Sequence, residues 1–425
     1  MIDLTKRAWM PRAELDHLIA LLHEDGRAVV GPTVRDAAIV YDEIGSIEDL
    51  PTGINDVQTP GRYRLEANGN GGAERSFDFA SSPTSWKSYT YPASVPIARA
   101  TRDGEALTYQ DVVHDAPRLA YLGVRACDLA ALGIHDEILA GGPYIDEDYA
   151  DRRGKAFIVA VECAIPSSTC FCASMGTGPE VSTGFDIALT ELDDGYVLRV
   201  GSDAGEKIAD RLELGEADSL QLHAAAGVGV EARARMQKQL GVQTEGLKDR
   251  LAAQLESKGW DEIAEICLAC TNCTMACPTC FCTDVKQTSD LMGTETSADR
   301  QWASCFTQDF ARVAHGNFRP RVRDRYRQWL THKFSTWVDQ FGSYGCVGCG
   351  RCITWCPVGI DVRKSLLDIA PVRPPALHLE EPVPVSANPG RYSIGTIGEV
   401  WAETRNVYTC LLYTSPSPRD QRPNL

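Results

Sequence analysis

No run of apolar residues in this chain approaches the roughly 20 needed to cross a bilayer, so a membrane-spanning protein is not expected. The opening residues, MIDLTKRAWMPRAELDHL, lack the apolar stretch of a secretory signal, and the expected location is the cytoplasm. Basic residues are in short supply: 42 Lys and Arg stand against 58 Asp and Glu, a formal net charge of −16. Phosphate recognition needs a basic face, so nucleic acid is not an expected partner. Neither H-E-x-x-H, G-x-S-x-G, a P-loop nor G-x-G-x-x-G occurs, which removes the common signatures of metallohydrolases, serine hydrolases and nucleotide binders. No two cysteines are adjacent, which speaks against the CCG motifs of heterodisulfide-type thiol-disulfide reductases, the alternative enzyme reading.

Cysteine itself is abundant, with sixteen in 425 residues. Cys267, Cys270, Cys273 and Cys277 are spaced C-x2-C-x2-C-x3-C and followed by Pro278; Cys346, Cys349, Cys352, Cys356 and Pro357 repeat the pattern. This is the bacterial ferredoxin run, in which three thiolates bind one 4Fe-4S cluster and the fourth reaches the other. Two-residue gaps let three soft ligands converge on one cubane, and the proline biases the preceding cysteine toward an extended backbone, turning the chain away. The spacing predicts one cluster on Cys267, Cys270, Cys273 and Cys356 and a second on Cys346, Cys349, Cys352 and Cys277. Zinc also accepts four thiolates, but in two CxxC pairs rather than a triple. Disulfides do not suit a chain without a secretory signal. From Cys267 to Cys346 the chain runs 79 residues, so intervening helices are expected to pack beside the cluster pair.

The length suits two or three domains. The expected fold class is α/β or α+β: a mixed N-terminal domain over residues 1–245, then a mainly helical ferredoxin-type domain over 246–370. A proline-rich extension over 371–410 follows, and LLYTSPSPRDQRPNL, residues 411–425, reads as a non-native tail. RAELDHLIALLHEDG predicts an amphipathic helix ending at Gly26, and RAVVGPTV a strand. NGNGG, from Asn68 to Gly72, reads as a loop. LAYLGV, ACDLAALGIHDEIL and AFIVAVE form a βαβ pattern that predicts parallel, neighbouring strands. FDIALTEL and YVLRVG, joined at Asp193-Asp194-Gly195, predict a hairpin. Residues 202–265 read as mostly helical.

The βαβ reading places Cys127 and Cys163 just past the carboxyl ends of two strands, where open α/β sheets hold ligands, with Cys170 and Cys172 on the next loop. Two readings stand for these four: a third iron–sulfur cluster, with zinc as the lesser option, or small buried hydrophobes. Arg321, Arg323 and Arg325, within a stretch that also carries Arg319, Arg327 and Lys333, could tune an anionic cluster or dock a partner; a solvated helix face is the plain alternative. Trp329 and Trp337 read as core. Cys280, Cys282 and Cys305 receive no role beyond packing near the clusters, and no catalytic constellation is visible.

GPTVRDAAIVYDEI, GVRACDLAAL, the CFCASMGTGP loop and RYRQWLTHKFSTWVDQFGSYGCVGCGRCITWCPVGIDV resemble the β subunit of cytoplasmic nickel–iron sulfhydrogenases and the electron-transfer subunit of anaerobic sulfite reductases. The resemblance covers roughly residues 15 to 370. It implies an electron-transfer component of a hetero-oligomer, relaying single electrons between a flavin/NAD(P)-binding subunit, on one side, and a separate nickel–iron or sirohaem catalytic subunit on the other.

Overall fold

Four apolar segments around AVVGPTV, LAYLGV, FIVAV and IALTE are sequestered from water on both faces, and such runs suit a parallel sheet. The computed structural model describes residues 7–67, 75–110, 112 and 115–372, and the backbone of 401–404 and 407–409. The first elements are β1 (Arg7–Pro11), α1 (Glu14–Glu24), β2 (Ala28–Arg35), β3 (Ala38–Glu43), β4 (Ile54–Thr59) and β5 (Arg62–Ala67). Next come α2 (Lys87–Thr90), β6 (Ser94–Asp103), β7 (Ala106–Gln110), β8 (Leu119–Val124), α3 (Ala126–His135), α4 (Glu147–Lys155) and β9 (Phe157–Val161). Then follow α5 (Cys172–Met175), β10 (Ile187–Glu191), β11 (Gly195–Val200), α6 (Asp203–Ala209), β12 (Gly215–Glu216), α7 (Ser219–Gln237), α8 (Leu247–Ala252), α9 (Gly259–Ile266) and α10 (Asn272–Met275). The remainder of this part holds β13 (Thr283–Ser289), β14 (Glu295–Trp302), β15 (Arg312–Val313), β16 (Gly316–Asn317), α11 (Val322–Thr331), α12 (Trp337–Phe341), α13 (Arg351–Thr354) and α14 (Val362–Ile369).

Eight strands form the main sheet in the order β12-β1-β11-β10-β9-β8-β2-β3. The middle four run parallel, with Ala120 opposite Phe157 and Leu122 opposite Val159 in the β8–β9 pair, so the βαβ unit is present. A register shift between Leu122 and Val124 coincides with Gly123 at φ +91°, a conformation that favours glycine; a Cβ there would press Phe77 at 3.3 Å. The chain emerges from this bulge at Arg125 and Cys127. The β10–β11 hairpin and the end of α1 before Gly26 (φ +73°) also lie where the turn chemistry puts them.

The stretch between the two cysteine motifs, expected to be helical, opens instead with the β13–β14 hairpin. TDVKQTS and ETSADRQW are rich in Thr, Val and polar alternation, and β14 pairs with β6 in a four-stranded antiparallel sheet, β13-β14-β6-β7. Helices return at α11. A second core of Trp260, Phe306, Tyr326, Trp329, Leu330, Phe334, Ile353, Val362, Leu366 and Ile369 joins α9, α11, α13 and α14 around the motif loops. Residues 1–370 form one compact unit. Residues 371–425 form another, in which Trp401–Thr404 pairs with Val407–Thr409. The expected NGNGG loop, residues 373–400 of the proline-rich extension, Cys410 and the non-native tail lie outside the described residues.

Candidate metal centre

The two cysteine runs adopt one backbone conformation twice. Ala269 and Thr271 have φ of +49° and +72°; the equivalent positions in the second run, Gly348 and Gly350, have +66° and +78°. Left-handed residues every second position curl the chain around a point, and a side chain placed there carries strain. In each loop an amide two residues on faces the first thiol, Ala269 N to Cys267 Sγ at 3.5 Å and Gly348 N to Cys346 Sγ at 3.4 Å. Each loop then enters a single helical turn, α10 or α13, that carries the third cysteine, Cys273 or Cys352.

One cavity of about 460 Å³, part of it open to solvent, is lined by Cys267, Cys270, Cys273 and Cys356, with Leu268, Tyr326, Trp329 and Val358. A neighbouring cavity of about 370 Å³ is lined by Cys277, Cys346, Cys349 and Cys352, with Phe171, Lys333 and Phe334. The 79-residue separation thus closes, and the last cysteine of each run sits in the other run's cavity. Cys352, Trp329 and Val362 line both. Among the described residues no three Cys, His, Asp or Glu side chains close on a point that would hold one metal ion, where four sulfurs would crowd to roughly 2.3 Å. Each set lines a cavity instead of closing on one point.

Electrostatics at the two cavities differ. Burial pushes the Cys346 thiol up to about 12 and Cys267, Cys273, Cys349 and Cys352 upward, and a metal would have to displace their protons to take them as ligands. Cys277 is held well below its usual range: the Cys280 thiol donates to it and the Lys333 ammonium reinforces this, while burial opposes both. Lys333 Nζ is buried and lies 3.4 Å from Cys277 Sγ, donating to Thr279 Oγ1 at 2.9 Å and Gly345 O at 3.0 Å. It projects from a π-helical stretch, His332–Thr336, of the kind that often marks functional sites.

Of the three arginines singled out in the sequence, Arg321 pairs with Asp324 and Arg323 with Asp261 and Glu256 near the surface. Arg325 is buried, and its guanidinium acts against the burial of Cys267. Lys333 belongs to the same cationic stretch, whereas Arg351 has no distinguishing mark in the sequence. Arg351 is fully buried in an ion pair with Asp128 at 2.8 Å, which fastens the second loop to α3. Nothing in their local pattern separates these cations from surface ones; only the folded path does.

Cys163, Cys170 and Cys172 are buried and Cys127 is half-buried. Cys170, Cys172 and Cys127 pack with Ala80 and Met236, Cys172 Sγ lying 3.7 Å from Met236 Sδ. Cys163 faces the same group: burial pushes its thiol up to about 12, with Cys170 adding to the rise and Arg125 opposing it. The Thr169–Cys172 segment lies directly on the second loop: Phe171 N donates to Gly348 O at 2.8 Å, and a Cβ on Gly348 would stand 2.6 Å from Cys172 N. Cys280, Cys282 and Cys305 are half-buried; Lys87 and Lys333 act on Cys280 and Cys282, and Lys87 Nζ donates to Cys280 O at 3.1 Å.

The 4Fe-4S dicluster domain family matches residues 266–360, which span both loops. A curated relative, sulfhydrogenase 2 subunit beta of Pyrococcus furiosus, is 37% identical over 256 residues, covering 59% of this chain and 74% of that protein. The chain belongs to the sulfhydrogenase beta-subunit family. No solved structure matches it. As a member of that family with a dicluster domain it is an iron–sulfur subunit; among its described residues no helix is long and apolar enough to cross a membrane.

Proposed function

We propose that the chain is an electron relay that holds two 4Fe-4S clusters, one on Cys267, Cys270, Cys273 and Cys356 and the other on Cys346, Cys349, Cys352 and Cys277. Clusters so held supply one-electron transfer. The observation that carries the reading is the exchange of fourth cysteines between two adjoining cavities. The chain's own residues exclude water with Trp329, Phe334 and Val362, offer amide hydrogens to the sulfurs, and place Arg325 and Lys333 beside the negative charge. Cys127, Cys163, Cys170 and Cys172 are proposed as a third station, supported by their packing against the second loop. Arg321 and Arg323, paired with Asp324 and with Asp261 and Glu256, fit the solvated helix face.

The named relative is a beta subunit of a sulfhydrogenase, which favours a hetero-oligomer with a hydrogenase-type, nickel–iron catalytic subunit over the sirohaem alternative; a flavin/NAD(P)-binding subunit and a cytoplasmic setting complete the proposal. Anaerobic purification or reconstitution with EPR tests the relay. The expected result is two reducible 4Fe-4S centres, with Cys356→Ser perturbing one and Cys277→Ser the other. Fewer than two centres, or both variants acting on the same centre, would sink it.

A further inference from the structure

We propose that the surface over the Cys267–Cys273 loop is the docking face for a partner subunit that carries its own one-electron centre and presents an apolar middle ringed by Lys and Arg. The proposal rests on the relay reading and adds which end of the relay faces outward. The two motif loops share a backbone conformation but not a cover. On the second loop the chain supplies the cover itself: the backbone of Phe171 and Cys172 sits 2.6 Å from where a Gly348 Cβ would be, Val347 is 2% exposed and Cys349 is buried. On the first loop the equivalent residues are bare. Leu268, the counterpart of Val347, is 63% exposed, and Cys270, the counterpart of Cys349, is the one exposed cysteine among the described residues.

The bare face extends beyond the loop. Val358, 39% exposed, lines the first cavity together with Leu268, and Ile266 on α9, next to Cys267, and Leu367 on α14, which also sends Val362 into the cavity wall, are 53% and 48% exposed. An apolar patch at the opening of a redox cavity is costly to leave wet and marks an interaction site. Its rim sets the partner's charge. Glu262 and Glu265 on α9 are exposed; Asp261 is paired with Arg323 and Asp368 with Lys364, the one exposed cation on those two helices, so the two glutamates carry the rim's net charge. The complementary face is therefore basic around an apolar centre. A docked partner would occupy on the first loop the place that the Thr169–Cys172 segment occupies on the second.

The test compares the free chain with the complex isolated on the tagged full-length chain, using hydrogen–deuterium exchange and carbodiimide cross-linking. Peptides covering 259–272 and 356–368 are expected to exchange freely in the chain alone and to be protected in the complex. Glu262 or Glu265 is expected to cross-link to a lysine of a subunit that shows flavin or iron–sulfur absorbance. Ile266→Glu with Leu367→Glu should slow at least tenfold the reduction of the clusters by that subunit, while dithionite reduces them at the unaltered rate. Protection already present in the free chain, protection by a second copy, a cross-linked subunit without a redox centre, or an unaltered transfer rate each overturns the docking proposal. Fewer than two EPR-active centres in the free chain overturns the relay reading instead, so the two failures are distinguishable.

Discussion

A glycine and a threonine at equivalent positions of the two loops carry different constraints. Gly350 (φ +78°) has Thr169 O 2.6 Å from where its Cβ would stand, so Gly350→Ala combines a strained backbone with a backbone clash. It should cost about 2 kcal/mol or more in thermal or urea unfolding and displace the Thr169–Cys172 segment. Thr271 (φ +72°) already carries a Cβ in that left-handed conformation, and Thr271→Gly should be neutral or stabilise by up to about 1 kcal/mol. The cations separate the centres in a second way. Lys333→Met removes a buried charge 3.4 Å from Cys277 Sγ and should lower the second cluster's midpoint potential by about 60 mV, a tenfold change in a one-electron equilibrium. Arg325→Met should lower the first instead; an EPR-monitored redox titration in which either variant moves the other cluster contradicts the assignment. The grouping of the thiols around two cavities was legible because ligand spacing is a local property. Which cation of the Arg319–Lys333 stretch is buried, and the role of Arg351, were not, because a cation's burial depends on elements distant in sequence.

At the scale of elements, periodicity carried most of what could be read. LAYLGV and AFIVAVE are continuous apolar runs flanking a helical pattern, and a right-handed crossover leaves little choice but parallel neighbours. The β13–β14 hairpin was not legible, because a polar, largely exposed ribbon has no apolar period and is stabilised by pairing with β6, nearly two hundred residues earlier. The end of α3 shows a similar long-range effect. His135 is buried between the edges of Tyr91 and Tyr149, and burial, reinforced by the Lys87 ammonium, pushes it down to about 3. In the unfolded chain the imidazole titrates near 6.5, so below that pH the unfolded state binds the proton that the fold refuses. Its contribution is constant above about pH 6.5 and is lost progressively as pH falls toward 3. The melting temperature should therefore drop between pH 7.5 and pH 5.5 by more in the unaltered chain than in His135→Phe, which keeps a ring between the two tyrosines. Equal drops would show that His135 stays partnered when charged.

On the scale of the whole molecule, the consequential feature is that two loops 79 residues apart share walls. Trp329 and Val362 stand between the cavities, and Cys352 lines both while belonging to the second run. Two paramagnetic centres in adjoining cavities are coupled by proximity, whatever their separate potentials. With both clusters reduced, the EPR spectrum should be broader than the sum of the singly reduced spectra and should relax faster in power-saturation measurements. Cys277→Ser, by disturbing the second cluster alone, should return the first to a simple spectrum. Uncoupled spectra in the fully reduced chain would mean that the clusters sit farther apart than the shared residues allow, and the electron path would then have to leave the chain between them.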